Sequence, residues 1–167
     1  MAKLLHLRNK WRDVVFAVIA LLVVIADQLS KWWIVANLAP GESLIDIGFF
    51  RIVRVQNTGA AFGIFKGYSL LFTIVDFIGI IVFLWLALVL RRRWPFLDRM
   101  PVRSGIGLIL GGTIGNLIDR LHLGQVTDFL DFKIWPTFNV ADASITVGVI
   151  ILAFCIIFLA KSAGHRV

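Results

Sequence analysis

Residues 124–144 read GQVTDFLDFKIWPTFNVADAS: a polar and aromatic piece, broken at Trp135-Pro136, that ends where a long apolar run begins. Asp128 and Asp142 lie on either side of that connection. If the turn folds them together, one carboxyl holds a proton while the other stays ionised, because like charges a few ångströms apart cannot both ionise cheaply. That is the arrangement of an aspartic protease. The plain alternative makes Asp128 a solvated turn residue and Asp142 a helix-start residue.

The rest of the chain says where this stretch sits. It has 167 residues, 59% of them hydrophobic and 16% charged, with a mean hydropathy of +0.90, well beyond the apolar share of a soluble domain. It therefore belongs in a bilayer, as one domain over residues 1–167 with no polar linker to divide it. The formal charge of +7 sits in short clusters beside apolar runs, a pattern of membrane orientation and not of nucleic-acid binding. Cys155 is the single cysteine, inside an apolar run, which excludes a disulfide framework or a cysteine metal site.

Four spans are expected. The first, residues 14–36, follows Lys3, Arg8, Lys10 and Arg12 and has no small-x-small site at its end, so it reads as uncleaved. The second covers 68–90 and ends in Arg91-Arg92-Arg93. The third, 102–118, is marginal in apolar length, and Gly107, Gly111 and Gly115 recur along one face for close helix packing. The fourth covers 142–160. Between the first two, residues 37–66 mix glycines with the β-branched and aromatic run 49–55, which predicts short strands, a turn at 56–59 and a lead from Ala60 to Phe65 into the next span. Sorting Lys and Arg by loop gives eleven on the side of the termini and six on the other. Both termini then lie in the cytoplasm, and the strands and the 128–142 connection on the outer face.

An ionisable group at the centre of a span costs on the order of 2.5–3.5 kcal/mol on insertion scales, so each needs a partner. Asp27 and Lys31 are four apart on the first helix. Two readings fit: an interfacial ion pair with Lys31 snorkelling, or support of the active site from behind. Asn116 and Arg120 lie one turn apart below the Asp128 stretch, placed for lipid headgroups or a peptide carbonyl, although Arg120 alone also fits as a helix-end cation. Asp119 is expected to pair with Arg120 or face water. Asn139, three before Asp142, predicts an N-cap with an acidic N3 residue. The helix dipole then favours a charged Asp142 and leaves the shared proton to Asp128. Asp76 has no evident partner. Asp131 rivals Asp128 for the dyad, but would face the other way on a strand. The histidines His6, His122 and His165 are scattered, and neither a zinc motif nor a nucleophilic serine context is present. No metal and no cofactor are expected.

Five separated pieces together resemble the bacterial signal peptidase II family of membrane aspartic endopeptidases: Asp27-Gln28-Leu29-Ser30-Lys31, residues 56–63 (QNTGAAFG), residues 115–120 (GNLIDR), Val126-Thr127-Asp128-Phe129, and Phe138-Asn139-Val140-Ala141-Asp142. They occur in the family's order and cover most of the chain. The resemblance implies an all-α membrane protein of four transmembrane helices with a small extracytoplasmic β-structured cradle. It implies a dyad on Asp128 and Asp142, with Asn57, Asn116, Arg120 and Asn139 lining the substrate site and Asp27 supporting it. It further implies cleavage of prolipoproteins immediately before a diacylglyceryl-modified cysteine, in the bacterial inner membrane, among membrane lipids and as a monomer. Thr127 replaces a usual aliphatic residue, and Asp76 belongs to none of the family motifs. Two other classes compete. A small transporter subunit would conduct protons or cations through Asp27 and Asp76; a non-catalytic assembly protein would pair helices through its glycines.

Overall fold

A computed structural model describes residues 2–59 and 67–164; the expected lead from Ala60 to Phe65 lies outside them. Among the described residues, four α-helices carry the chain: α1 (Ala2–Asn37), α2 (Ser69–Leu88), α3 (Met100–Leu123) and α4 (Val140–Gly164). Three short strands, β1 (Ser43–Asp46), β2 (Arg51–Asn57) and β3 (Val126–Asp131), form an antiparallel sheet in the order β1-β2-β3. Among the described residues, three helical stretches, Lys10–Asn37, Ser69–Arg92 and Val140–Phe158, are long and apolar enough to cross a membrane. Helix α3 is less apolar because it lies between the others. It is nevertheless about 36 Å long at 1.5 Å per residue, enough for a crossing, and buries Ile106, Ile109, Leu110 and Leu117.

The glycines of α3 explain how it fits there. A Cβ on Gly111 would lie 2.6 Å from the Ala20 carbonyl oxygen of α1, and one on Gly115 would lie 2.5 Å from the Asp27 carboxylate. This is the close-packed face expected from the four-residue repeat. A second such face, not expected, meets α4: a Cβ on Gly112 would strike the Ala141 carbonyl, and one on Gly148 would lie 2.6 Å from the Gly105 oxygen. Backbones that approach this closely bring polar groups of different helices within hydrogen-bonding reach. Since Ala141 adjoins Asp142, Gly112→Ala is expected to cost about 1–3 kcal/mol through overpacking. It should also displace the first turn of α4, and Asp142 with it. Thermal unfolding in detergent checks the first and labelled-Asp142 spectra of the same preparation the second.

At the end of the bundle away from the sheet, Arg103 of α3 is fully buried. Its guanidinium donates to Asp13 at 2.6 Å and to the Ala87 carbonyl at 3.0 Å, and it lies over the Phe16 ring. Arg91 also pairs with Asp13, and Arg12 pairs with Asp98 at 2.5 Å. Paired charges thereby join α1 to α3, and the Ala87 carbonyl ties in α2.

At the other end, Ile34 and Leu38 of α1 pack against Phe129 of β3 and seat the sheet on the bundle. After β3 the chain turns through Lys133, whose φ is 61° and whose N–H donates to the Asp131 carboxylate at 2.7 Å. It then doubles back, so that Phe138 exchanges backbone hydrogen bonds with Leu130 at 2.8 and 3.0 Å. That return brings Asn139 alongside Asp128.

Candidate active site

Asp128 comes from β3 and Asp142 from the first turn of α4, and both line one cleft of about 360 Å³. Three asparagine amides hold them. Asn139 caps α4 as its sequence position predicts: its Oδ1 accepts the Asp142 N–H at 2.9 Å, and the Asp142 carboxylate accepts the Asn139 N–H at 3.2 Å. With its oxygen so engaged, the Asn139 amide must turn its NH2 the other way, where it donates to Asp128 Oδ1 at 2.8 Å. One residue therefore touches both carboxylates.

The same logic fixes the other two. Asn57 pairs in register with Val126, which makes it a diagonal neighbour of Asp128 on one face of the sheet. Its Oδ1 accepts the Gly59 N–H at 2.9 Å, and its NH2 donates to Asp128 Oδ2 at 2.9 Å. Asn116 accepts the Lys31 ammonium at 3.0 Å and the Asn139 amide at 3.1 Å, and donates to Asp142 Oδ1 at 2.8 Å. Each amide oxygen is occupied by a donor, so each NH2 is aimed at the carboxylates.

Behind Asn116 lies a charged layer. Lys31 Nζ lies 2.8 Å from Asp27 and 3.3 Å from Asp119, with its side chain only 4% exposed. This overturns the snorkelling reading: the helices pack too closely for the ammonium to leave, and two carboxylates and an amide supply its partners. Asp27 is fully buried and also accepts the Ala141 N–H at 2.9 Å, next to Asp142. It thus bears on the dyad from behind. Asp119 neither pairs with Arg120 nor faces water. It accepts from Gln28 at 3.2 Å and from the Thr127 N–H at 2.9 Å, because it shares the buried face of α3 with Asn116. Gln28 and Asp119 belong to quoted motifs, yet the sequence assigns neither a site role; their one signal is a polar residue at helical spacing from Asp27, Lys31 or Asn116.

Asp76 does have a partner. Its carboxylate meets Arg120 Nη1 at 2.5 Å across the cleft wall between α2 and α3. Asp131 points away from the dyad, as strand alternation requires, and pairs with Arg51 at 2.5 Å. Burial pushes the Asp131 carboxyl up, but the Lys133 N–H and Arg51 outweigh it and hold it below the usual range. Asp128 goes the other way. Burial and then the Asp142 charge raise it from 3.8 to about 7, against the hydrogen bonds from Asn57 and Asn139.

The family profile described as signal peptidase (SPase) II matches residues 19–158. The chain belongs to the signal peptidase II family. A lipoprotein signal peptidase of Dehalococcoides mccartyi is 48% identical over 153 residues, 92% of this chain and 95% of the relative. One from Moorella thermoacetica is 44% identical over 152 residues, 90% of this chain and 98% of that one. A solved structure described as a bacterial membrane enzyme superposes with a TM-score of 0.76 at 34% identity, covering 91% of each chain. The sequence resemblance to signal peptidase II and the fold it implied, membrane helices with a small antiparallel sheet, are thus borne out.

Proposed function

We propose that the chain is a membrane aspartic endopeptidase that removes the signal peptide from prolipoproteins, cutting immediately before a cysteine that already carries diacylglycerol. The observation that carries this reading is Asn139, which hydrogen-bonds Asp128 and Asp142 at once within one cleft. In the reaction, ionised Asp142 takes a proton from a water between the pair as that water attacks the scissile carbonyl. Protonated Asp128 donates to the carbonyl oxygen. The resulting diol collapses as Asp142 passes its proton to the leaving amine and Asp128 takes one back from a diol hydroxyl, without a covalent intermediate. Asn57, Asn116 and Asn139 keep the two carboxylates in place, and Arg120 offers N–H groups to an acceptor oxygen of the peptide. Asp27 and Lys31 support them from behind.

The eleven-to-six distribution of Lys and Arg supports termini in the cytoplasm and a cleft near the outer face of the bacterial inner membrane. A lipid anchor can then stay in the bilayer while the peptide enters the cleft, and one copy of the chain suffices. A conducting path through Asp27 and Asp76 finds no support, since Lys31 and the Ala141 N–H close off the first and Arg120 the second.

Incubation of the purified protein with a diacylglyceryl-modified precursor peptide tests the reading. The expected product begins at the lipidated cysteine, and the same peptide without lipid is cut at least about tenfold more slowly. Equal cleavage of both peptides, or a cut elsewhere, contradicts it.

A pH dependence follows from the raised Asp128 carboxyl. Below about 7 it carries the proton that the carbonyl needs; above about 7 the proton is lost. The rate is expected to fall about tenfold per pH unit beyond that point. Stability has the same sign: the contribution from protonated Asp128 is complete below 3.8 and disappears as pH rises through about 7. A kcat/KM profile and thermal melts between pH 5 and 9 measure both; a rate still rising at pH 9 contradicts the assignment.

A further inference from the structure

Asp76 is the sole ionisable residue between Ser69 and Leu90, in a helix otherwise suited to lipid. It is 15% exposed at its side chain and faces the cleft, one helical turn from Phe72. Together these two residues cradle one cation of α3: Asp76 accepts from Arg120 Nη1 at 2.5 Å, and the Arg120 guanidinium carbon lies 5.5 Å from the Phe72 ring centroid. Among the described lining residues, the charged groups are Asp76, Arg120, Asp128 and Asp142. The Asp76 and Arg120 charges cancel. A dyad that shares one proton leaves the cleft with one net negative charge.

A merely structural ion pair is the competing account, since a carboxylate in a span needs a cation. It does not require the pair to form the wall of the substrate cleft. We propose that Asp76 is a specificity-determining residue: by neutralising Arg120 it keeps the cleft anionic and so excludes acidic side chains beside the scissile bond. Arg120 then works as an N–H donor to neutral carbonyl oxygens and not as a free cation that would attract carboxylates. This rests on the peptidase reading above.

The test uses two diacylglyceryl-modified peptides that differ only by Gln or Glu next to the scissile bond, on the signal-peptide side. The ratio of their kcat/KM values does not depend on the fraction of enzyme that is folded. Wild type is expected to prefer the Gln peptide by about tenfold or more. Asp76→Asn leaves Arg120 uncompensated and lowers the preference about tenfold, whereas Asp76→Glu retains it. Arg120→Gln, with Asp76 left charged, moves it the opposite way. Asp76→Asn combined with Arg120→Gln returns it near the wild-type value, because the pair is again neutral. A structural pair lowers both rates together and leaves the ratio alone, so a ratio within twofold of wild type in either single variant overturns the proposal. Should Asp76→Asn fail to fold, Arg120→Gln and the double variant decide it. Wild type that cleaves neither peptide overturns the peptidase reading itself, and this inference with it.

Discussion

Asp128→Asn and Asp142→Asn each lower cleavage of the lipidated peptide by about 10⁴-fold, the upper end of what a positioned acid or base supplies. An amide in place of the Asp128 carboxyl could not serve as the acid, and one in place of the Asp142 carboxylate could not take a proton from water. Both variants stay folded. Each carboxylate accepts two donors, Asn57 and Asn139 for Asp128, and Asn116 and the Asn139 N–H for Asp142. An amide keeps one acceptor oxygen, and the donor it turns away costs about 1–3 kcal/mol. Loss of the like charge between the two groups offsets part of that cost. Cleavage rates combined with thermal melts check this, and a variant that retains a tenth of the rate removes that aspartate from the chemistry. A non-catalytic assembly protein predicts no loss in either.

The second large effect lies behind the dyad. Lys31→Met is expected to cost about 3–5 kcal/mol, because it leaves Asp27 and Asp119 buried without their cation. It should also reduce the rate of the protein that remains folded by about 10²-fold. The reason is local. Asn116 Oδ1 loses its ammonium donor and keeps only the Asn139 amide, so its NH2 is no longer held on Asp142. Asn116→Ala removes the same hydrogen bond directly, so the two effects on rate should not add. A double-mutant cycle measures this; full additivity means that Lys31 affects the rate by a route other than Asn116.

How far the sequence leads depends on the range of the interaction. The apolar runs and the glycine repeat set the helices of the bundle, because each is a periodic and local pattern. The Asn139-to-Asp142 spacing reveals the α4 cap for the same reason: a capping box is complete within four residues. The dyad can be suspected but not closed, since it depends on the return of Phe138 onto Leu130 through a turn at Lys133 that carries no standard hairpin signal. What the sequence hides is long-range and polar. Lys31 reads as a cation reaching for water because Asp119 is far along the chain, and Asp76 reads as partnerless because Arg120 lies on another helix. Close packing through glycine decides which of these groups meet, and the register between helices is not written in either one alone.

The most direct test of the shared proton is the infrared spectrum of protein with isotope-labelled aspartate, recorded as pH is raised. The account predicts a protonated-carboxyl band that disappears with a midpoint near 7 in wild type, where burial and the Asp142 charge hold the Asp128 proton. That band should be missing in Asp128→Asn. In Asp142→Asn its midpoint should fall, because the neighbouring negative charge is gone. A band that persists unchanged in Asp128→Asn, or a midpoint indifferent to the loss of the Asp142 charge, would contradict it.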